Sequence, residues 1–431
     1  MPDAERKTAR TTLGLLLVIY VVNHIDRQVM YILAEDVKAD LLISDAQLGW
    51  LMGGAFAIFY TFAGLPIARL ADRGNRTRII TISLLLWSAM TVASGTARGF
   101  MGLLAARIGV GVGEAGCTPP AHSMISDVFP PEKRASALST YSLGVPLGTL
   151  FGLAAGGYLA QELGWRSAFF VVGVPGVFLA LIAKLYLREP ERGRFDNDTD
   201  LQQDSLARTF SFIVGLGAMR HVLIATALQT LFLAGAGAFH ASFLRRVHGL
   251  SGSEAGLTLG LVAGFAGGFS VLAAGWMADR LGTRDVRWHF WIPAIGALVS
   301  LPFSFVAYST GNTSLAVAMI AVATVFNHAY SGLTHTIMQG LVKPRMRATM
   351  SAVALFTMNL VGFGVGPVLL GVLSDAYGAE GGLSAALRML LIFLAWSILH
   401  YVLGARSYAR DLNAKISSSL SPPEQRLINA S

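Results

Sequence analysis

Four charged side chains interrupt otherwise apolar runs of this sequence. Asp26 and Arg27 lie in VVNHIDRQVMYIL, residues 21–33, and Arg107 and Glu114 lie in RIGVGVGEAG, residues 107–116. At the centre of a membrane helix each costs roughly 2.5–3.5 kcal/mol, and four unpaired ones on the order of 10 kcal/mol, which rivals the net stability of a whole protein. Such residues must pair, face water or hold a proton. Two readings compete. As structure, they form neutral pairs that tie two helices together. As chemistry, the arginines grip an anionic head group through their guanidinium forks, and the carboxylates exchange protons. Desolvation raises a carboxyl group's affinity for its proton and a neighbouring arginine lowers it, so an arginine that moves switches that affinity. The functional reading is preferred, because helix glue rarely needs four charges at the bilayer midplane.

Spacing separates the roles. Arg107 and Glu114 are seven residues apart, which returns to almost the same helical face about 10 Å along the axis. Asp26 and Arg27 are neighbours, about 100° apart around a helix. One can face a cavity while the other meets an adjacent helix, so the two serve different faces and different jobs.

The elements that hold these charges follow from composition. The chain has 431 residues, 54% hydrophobic and 13% charged, with a mean hydropathy of +0.57; a soluble domain carries about 25% charged residues. A soluble chain of this length could not hide so much apolar surface, so the protein is a polytopic membrane protein. Twelve runs are apolar over the roughly 20 residues that a spanning helix needs, centred near Val22, Ile58, Leu86, Gly111, Leu147, Phe178, Leu231, Phe265, Leu298, Thr324, Met358 and Leu394. The N-terminal stretch MPDAERKTARTTLGLLLVIYVV has a basic lead and no small-residue cleavage site after its apolar core, and reads as an uncleaved first span. The single cysteine, Cys117, excludes an intrachain disulfide and a cysteine metal centre.

The net charge of +8 is a topology signal rather than a nucleic-acid footprint. Of 33 Lys and Arg, only Lys38, Arg98, Arg166, Arg245, Arg246 and Arg388 fall in odd-numbered connections, and Arg27 and Arg107 fall within spans; the other 25 lie in the termini and even-numbered connections. That asymmetry predicts both termini in the cytoplasm. The longest polar connection, residues 188–217, divides the chain into two six-helix bundles, 1–187 and 218–406, and residues 407–431 are expected to form a disordered cytoplasmic tail.

The halves repeat. ARLADRGNRTR (68–78) follows the second span and GWMADRLGTRD (275–285) the eighth, with Asp72 and Asp279 offset by 207 residues. An acid among arginines at matching helix ends can pair across the bundle on one face and close it. Asp72, Arg73, Arg76, Asp279 and Arg280 are therefore expected to be gating residues. Gly144, Gly148, Gly152 and Gly156 in span five, and Gly362, Gly366 and Gly371 in span eleven, form small-residue stripes that permit close helix packing.

The C-terminal half has no clear intramembrane acid or arginine. Its polar candidates are His240, His328, His335, Gln229, Asn327 and Asn359, read as cavity lining or helix–helix hydrogen bonds; the histidine spacing does not suit a metal site. A charged wall opposite an apolar, aromatic, His-bearing wall suits an amphipathic anion better than a fully polar sugar. No GxxxxGK[ST] phosphate loop and no HExxH or GxSxG arrangement occurs, which argues against an ATP-driven pump and an intramembrane enzyme.

Twelve spans in two repeated halves, the two ADR loops and the span-five glycines resemble the major facilitator superfamily, over roughly residues 12–406. NHIDRQVMYIL, FAIFYTFAGLPIARLADRGNR, RIGVGVGEAGCTPPAHSMISDVFPPEKRASALS and GWRSAFFVVGVPG look like its spinster-like branch. The resemblance implies an all-α fold in which two bundles rock about a central cavity. It implies proton-dependent switching at Asp26 and Glu114, and anionic head-group contacts at Arg27 and Arg107. It also implies a substrate of lysolipid class, a proton gradient in place of any cofactor or metal, and a monomer. The short termini look bacterial, which implies the bacterial cytoplasmic membrane. A small organic acid or drug carried by the same fold is the alternative, and a non-transport membrane protein, an intramembrane enzyme or a receptor, is the less favoured one.

Overall fold

A computed structural model describes residues 3–195, 206–342, 346–378 and 381–419. All regular structure among them is helical. Eleven helices are long and apolar enough to cross a bilayer, and one, Pro131–Tyr186, runs for 56 residues. At 1.5 Å per residue that is roughly 84 Å, far more than a hydrocarbon core of about 30 Å. Gly164 divides it: its φ of 79° lies where L side chains are strained. The described residues therefore make twelve spans: α1 Glu5–Ile32, α2 Asp45–Ala71, α3 Arg76–Gly95, α4 Phe100–Val128, α5 (131–163), α6 (165–186), α7 Gly217–His248, α8 Gly252–Gly282, α9 Trp288–Ala307, α10 Thr313–Leu341, α11 Thr349–Tyr377 and α12 Gly382–Leu412. An even count brings both termini to one end of the bundle, the terminal end; the opposite end is the far end.

Burial differs between the two ends. At the far end one apolar core runs through both halves, from Leu33 and Val37 to Phe239, Leu244 and Leu387. At the terminal end the core splits: Leu16, Trp87 and Tyr141 anchor one cluster in the first half, and Phe290, Met338 and Tyr401 another in the second. The halves are joined at one end and parted at the other.

The glycine stripes set the helix spacing. Gly144, Gly148 and Gly152 of α5 meet Tyr20, His24 and Ile25 of α1, where a Cβ at Gly152 would lie 3.0 Å from the Ile25 Cα. Gly362 and Gly366 of α11 meet Thr230 and the Leu231 carbonyl of α7 in the same manner. The first stripe fixes the helix that carries Asp26 and Arg27. At the far end Gly157 and Gly256 bring α5 onto α8, and Gly49, Gly53 and Gly371 bring α2 onto α11. Three helices of these seams carry π-helical turns: Trp50–Gly54 in α2, Val262–Gly267 in α8 and Met358–Val365 in α11.

Two segments differ from the sequence expectation. The last helix continues to Ser419 instead of giving way at residue 407. Tyr408 packs on Phe290, with ring centroids 5.1 Å apart, and Asp411 accepts the Ala218 N–H at 2.8 Å, satisfying a free donor at the start of α7. Within residues 188–217, Glu189 and Pro190 join a buried cluster around Arg76 and Leu206–Gly215 is helical. Residues 196–205 and 420–431 lie outside the described residues.

Candidate functional site

The four intramembrane charges meet in two crossed pairs between α1 and α4. The Arg107 Nη1 donates to Asp26 Oδ1 at 3.3 Å, and the Arg27 Nε donates to Glu114 Oε2 at 2.6 Å. Adjacency on α1 sends Asp26 and Arg27 to different partners, as their angular separation requires. Thr91 of α3 donates its hydroxyl to Asp26 Oδ2 at 2.5 Å. The aromatic rings of α2 cover the cations: the Arg27 guanidinium lies 4.7 Å from the Phe56 centroid and 5.0 Å from that of Tyr60, and Arg107 lies 5.9 Å from Phe56. Asp26, Arg107 and Glu114 are each 1% exposed. Arg107 Nε and Glu114 Oε1 are buried with no hydrogen-bond partner among the described residues, so a buried donor and a buried acceptor are left unused.

A cavity of about 1050 Å³ opens between the halves. Arg27 and Arg107 line it, and Asp26 and Glu114 do not. Arg27, with its side chain 25% exposed, forms the wall, and Arg107 borders the cavity from among the buried carboxylates. The opposite wall comes from the second half and includes His240, Tyr308, Asn327, His328 and Tyr330. His240 Nε2 lies 2.9 Å from the Tyr308 hydroxyl, and His328 Nδ1 lies 3.2 Å from the Thr324 carbonyl. Gln229 is fully buried and braces this wall by donating to the Asn327 carbonyl at 3.0 Å, while Ser300 donates to the Asn327 side chain at 2.8 Å. His335 and Asn359 do not line the cavity.

Among the described residues, no ion pair joins the expected gating residues to one another. Arg76 is 1% exposed and bound to Asp127 of its own half at 2.5 Å and to Glu189 of the connection that follows it at 2.7 Å. Arg73, Asp279 and Arg280 are exposed, and the Arg280 guanidinium lies 4.6 Å from the Trp276 ring centroid of its own helix. The Asp72 side chain lies outside the described residues.

A second polar array, at the far end, escaped sequence reasoning. Arg245 forks onto both Asp36 oxygens at 2.7 Å. Arg246 reaches Glu35 at 2.7 Å and Asp45 at 2.6 Å. Asp375 of α11 accepts the backbone N–H groups of Asp45 and Ala46 at 2.9 and 2.8 Å, and Ser374 donates to Asp45 at 2.6 Å. Every one of these bonds crosses between halves. Gly249, at φ 68°, ends α7 just after the two arginines. The available signal was EDVKAD at residues 35–40, an acidic patch facing a basic pair in another odd-numbered connection; charge counting treated both only as topology.

Comparison with known proteins agrees with this architecture. The Major Facilitator Superfamily model matches residues 16–367. An "MFS-type efflux pump" of Mycolicibacterium smegmatis is 35% identical over 419 residues, covering 94% of this chain and 95% of that protein. "Protein spinster homolog 1" of Xenopus tropicalis is 27% identical over 387 residues, covering 85% of this chain and 73% of that protein. The crystal structure of a bacterial homologue of the human lysosomal transporter spinster, described as inward-facing and unoccupied, superimposes with a TM-score of 0.87 at 32% identity, covering 94% of this chain and 98% of that one. Twelve membrane helices, a central cavity walled by both halves and these likenesses make the chain an integral membrane transporter and not an enzyme: it belongs to the Major Facilitator Superfamily, as a transporter of the spinster type.

Proposed function

We propose that the protein is a proton-coupled secondary transporter of an amphipathic organic anion of lysolipid type, working by alternating access in the bacterial cytoplasmic membrane. The observation that carries this reading is the arrangement of the site: Arg27 and Arg107 are among the residues lining the cavity, and each is paired with a buried carboxylate that does not line it. An anionic head entering the cavity competes with the carboxylates for the same guanidinium groups. A carboxylate that loses its arginine binds a proton more readily, so anion binding and proton uptake are coupled through the crossed pairs. The charge asymmetry of the connections supports a cytoplasmic terminal end, and with that orientation the conformation is inward-facing. A cavity of about 1050 Å³ with a largely apolar second wall has room for an acyl chain as well as a head group, which favours a lysolipid over a small organic acid. Asp72, Arg73, Arg76, Asp279 and Arg280 are proposed to close the terminal end in the opposite state.

The test is flux in proteoliposomes of stated internal and external pH. Uptake of a lysophospholipid should follow the imposed gradient and lose that dependence in Asp26→Asn and Glu114→Gln. Flux that keeps its gradient dependence in both variants would sink the proton role.

A further inference from the structure

We propose that a second site, outside the transport cavity, binds the phosphate head group of an anionic phospholipid. It is a cleft of about 530 Å³ between the first turns of α1 and the first turns of α5. Arg6, Arg10 and Lys133 line it against a single acid, Glu132, which leaves its wall with an excess of two positive charges. Arg6 and Arg10 are four residues apart and share one face of α1. Among the described residues none of the three cations has an ion-pair or side-chain hydrogen-bond partner. Glu5, the acid beside them, is turned instead to Arg194 of the connection between the halves, at 2.6 Å. Three unpaired cations around one concavity have the chemistry to hold an anion.

The rest of the cleft argues for a lipid. Leu13, Phe129 and Ala137 give it an apolar floor, and Leu13 begins the apolar stretch of α1. Arg10 therefore sits about one turn and Arg6 about two turns before that apolar stretch, at head-group depth, with apolar surface continuing inward beneath them. A phosphate diester with the first methylenes of its chains matches that order. Basic pockets between spans at this depth are lipid head-group sites in general. No residue of the cleft is shared with the central cavity. Both walls belong to one half and are pinned by the Gly144–Gly156 stripe, so the site needs no rearrangement to accept its ligand.

The experiment is native mass spectrometry of the purified full-length protein released from micelles containing phosphatidylglycerol, phosphatidylcholine, or phosphatidylglycerol with free glycerol 3-phosphate. Phosphatidylglycerol should be retained and phosphatidylcholine should not. At about fivefold in affinity per interfacial cation, Arg6→Gln/Arg10→Gln/Lys133→Gln should weaken retention on the order of 100-fold, and Arg220→Gln, an exposed cation elsewhere at the same end, should leave it unchanged. Glu132→Gln keeps every cation and should raise retention roughly fivefold, which decides the matter even if the triple variant fails to fold. Equal retention of the two lipids, or retention that Glu132→Gln leaves unchanged or lowers, would overturn the site. Displacement of the lipid by equimolar glycerol 3-phosphate would show a soluble phosphate ester as the ligand and overturn the lipid assignment.

Discussion

At the scale of single residues, the crossed pairs make different substitutions unequal in ways that can be measured. Removing Arg107 strands a carboxylate that is 1% exposed, and breaking a buried pair by deleting one partner typically costs about 3–5 kcal/mol. Asp26→Asn leaves Arg107 without its counter-charge but keeps the shape, a carbonyl acceptor for Arg107 and the Thr91 contact, so it should cost less. Thermal unfolding in detergent should therefore rank wild type above Asp26→Asn above Arg107→Ala, with the double variant more stable than Arg107→Ala alone. Strictly additive losses would mean that the pair is not coupled. Function should separate in another way. Arg107→Ala should weaken binding of an anionic lysolipid by tenfold or more while a neutral analogue changes little, which competition binding would measure; equal effects on both would refute a head-group role.

At the scale of elements, the far end is held by two devices of different chemistry. One is the ion-pair array, whose Arg246 is 24% exposed and serves both Glu35 and Asp45. Partly exposed pairs contribute about 0.2–1 kcal/mol each, so Arg246→Ala, which removes two of them, should raise the population open at the far end by up to roughly 30-fold. Labelling of a cysteine introduced beside the array, in a Cys117→Ser background, would read this as faster modification. The other device is backbone contact at glycine. A Cβ at Gly256 would collide with the Leu153 carbonyl, and one at Gly53 with the Phe363 carbonyl. Gly256→Val should part α5 from α8 and make the far end more accessible than Arg246→Ala does, because close packing has no graded alternative whereas an ion pair can be replaced by water. Labelling no faster than wild type would show that this seam does not hold the end shut. The π-helical turns in α2, α8 and α11 sit on the same seams. Each widens its helix locally and frees backbone groups from regular pairing, which makes these helices the ones suited to bending as the halves move.

At the scale of the whole molecule, one shared core at the far end and two separate cores at the terminal end describe a body that can pivot. Spin labels placed at Arg78 and Arg284, exposed on opposite halves at the terminal end, and at Arg98 and Gly311, exposed at the far end, should report opposite changes. When substrate or acid shifts the population, the first distance should shorten as the second lengthens. Distances that change together would contradict rocking of two rigid halves about a central cavity.

The sequence by itself determined the class of protein, the number of spans, the repeat and the four charges, because each is written in local chemistry. Hydrophobic runs of spanning length need no knowledge of their neighbours, and a charge in such a run is conspicuous wherever the helix packs. It also determined that Asp26 and Arg27 diverge, since adjacency on a helix fixes an angle. Only the tertiary structure decided which acid takes which arginine, that the arginines line the cavity while the carboxylates do not, and that Gln229 braces a wall it was expected to form. It also decided that Arg76 is bound to Asp127 and Glu189 and that Glu35, Asp36, Asp45, Arg245, Arg246 and Asp375 close the far end. Those outcomes depend on which helices face one another and in which of two arrangements the halves stand. A charge in a loop has the same sequence signature whether it marks topology or holds two bundles together.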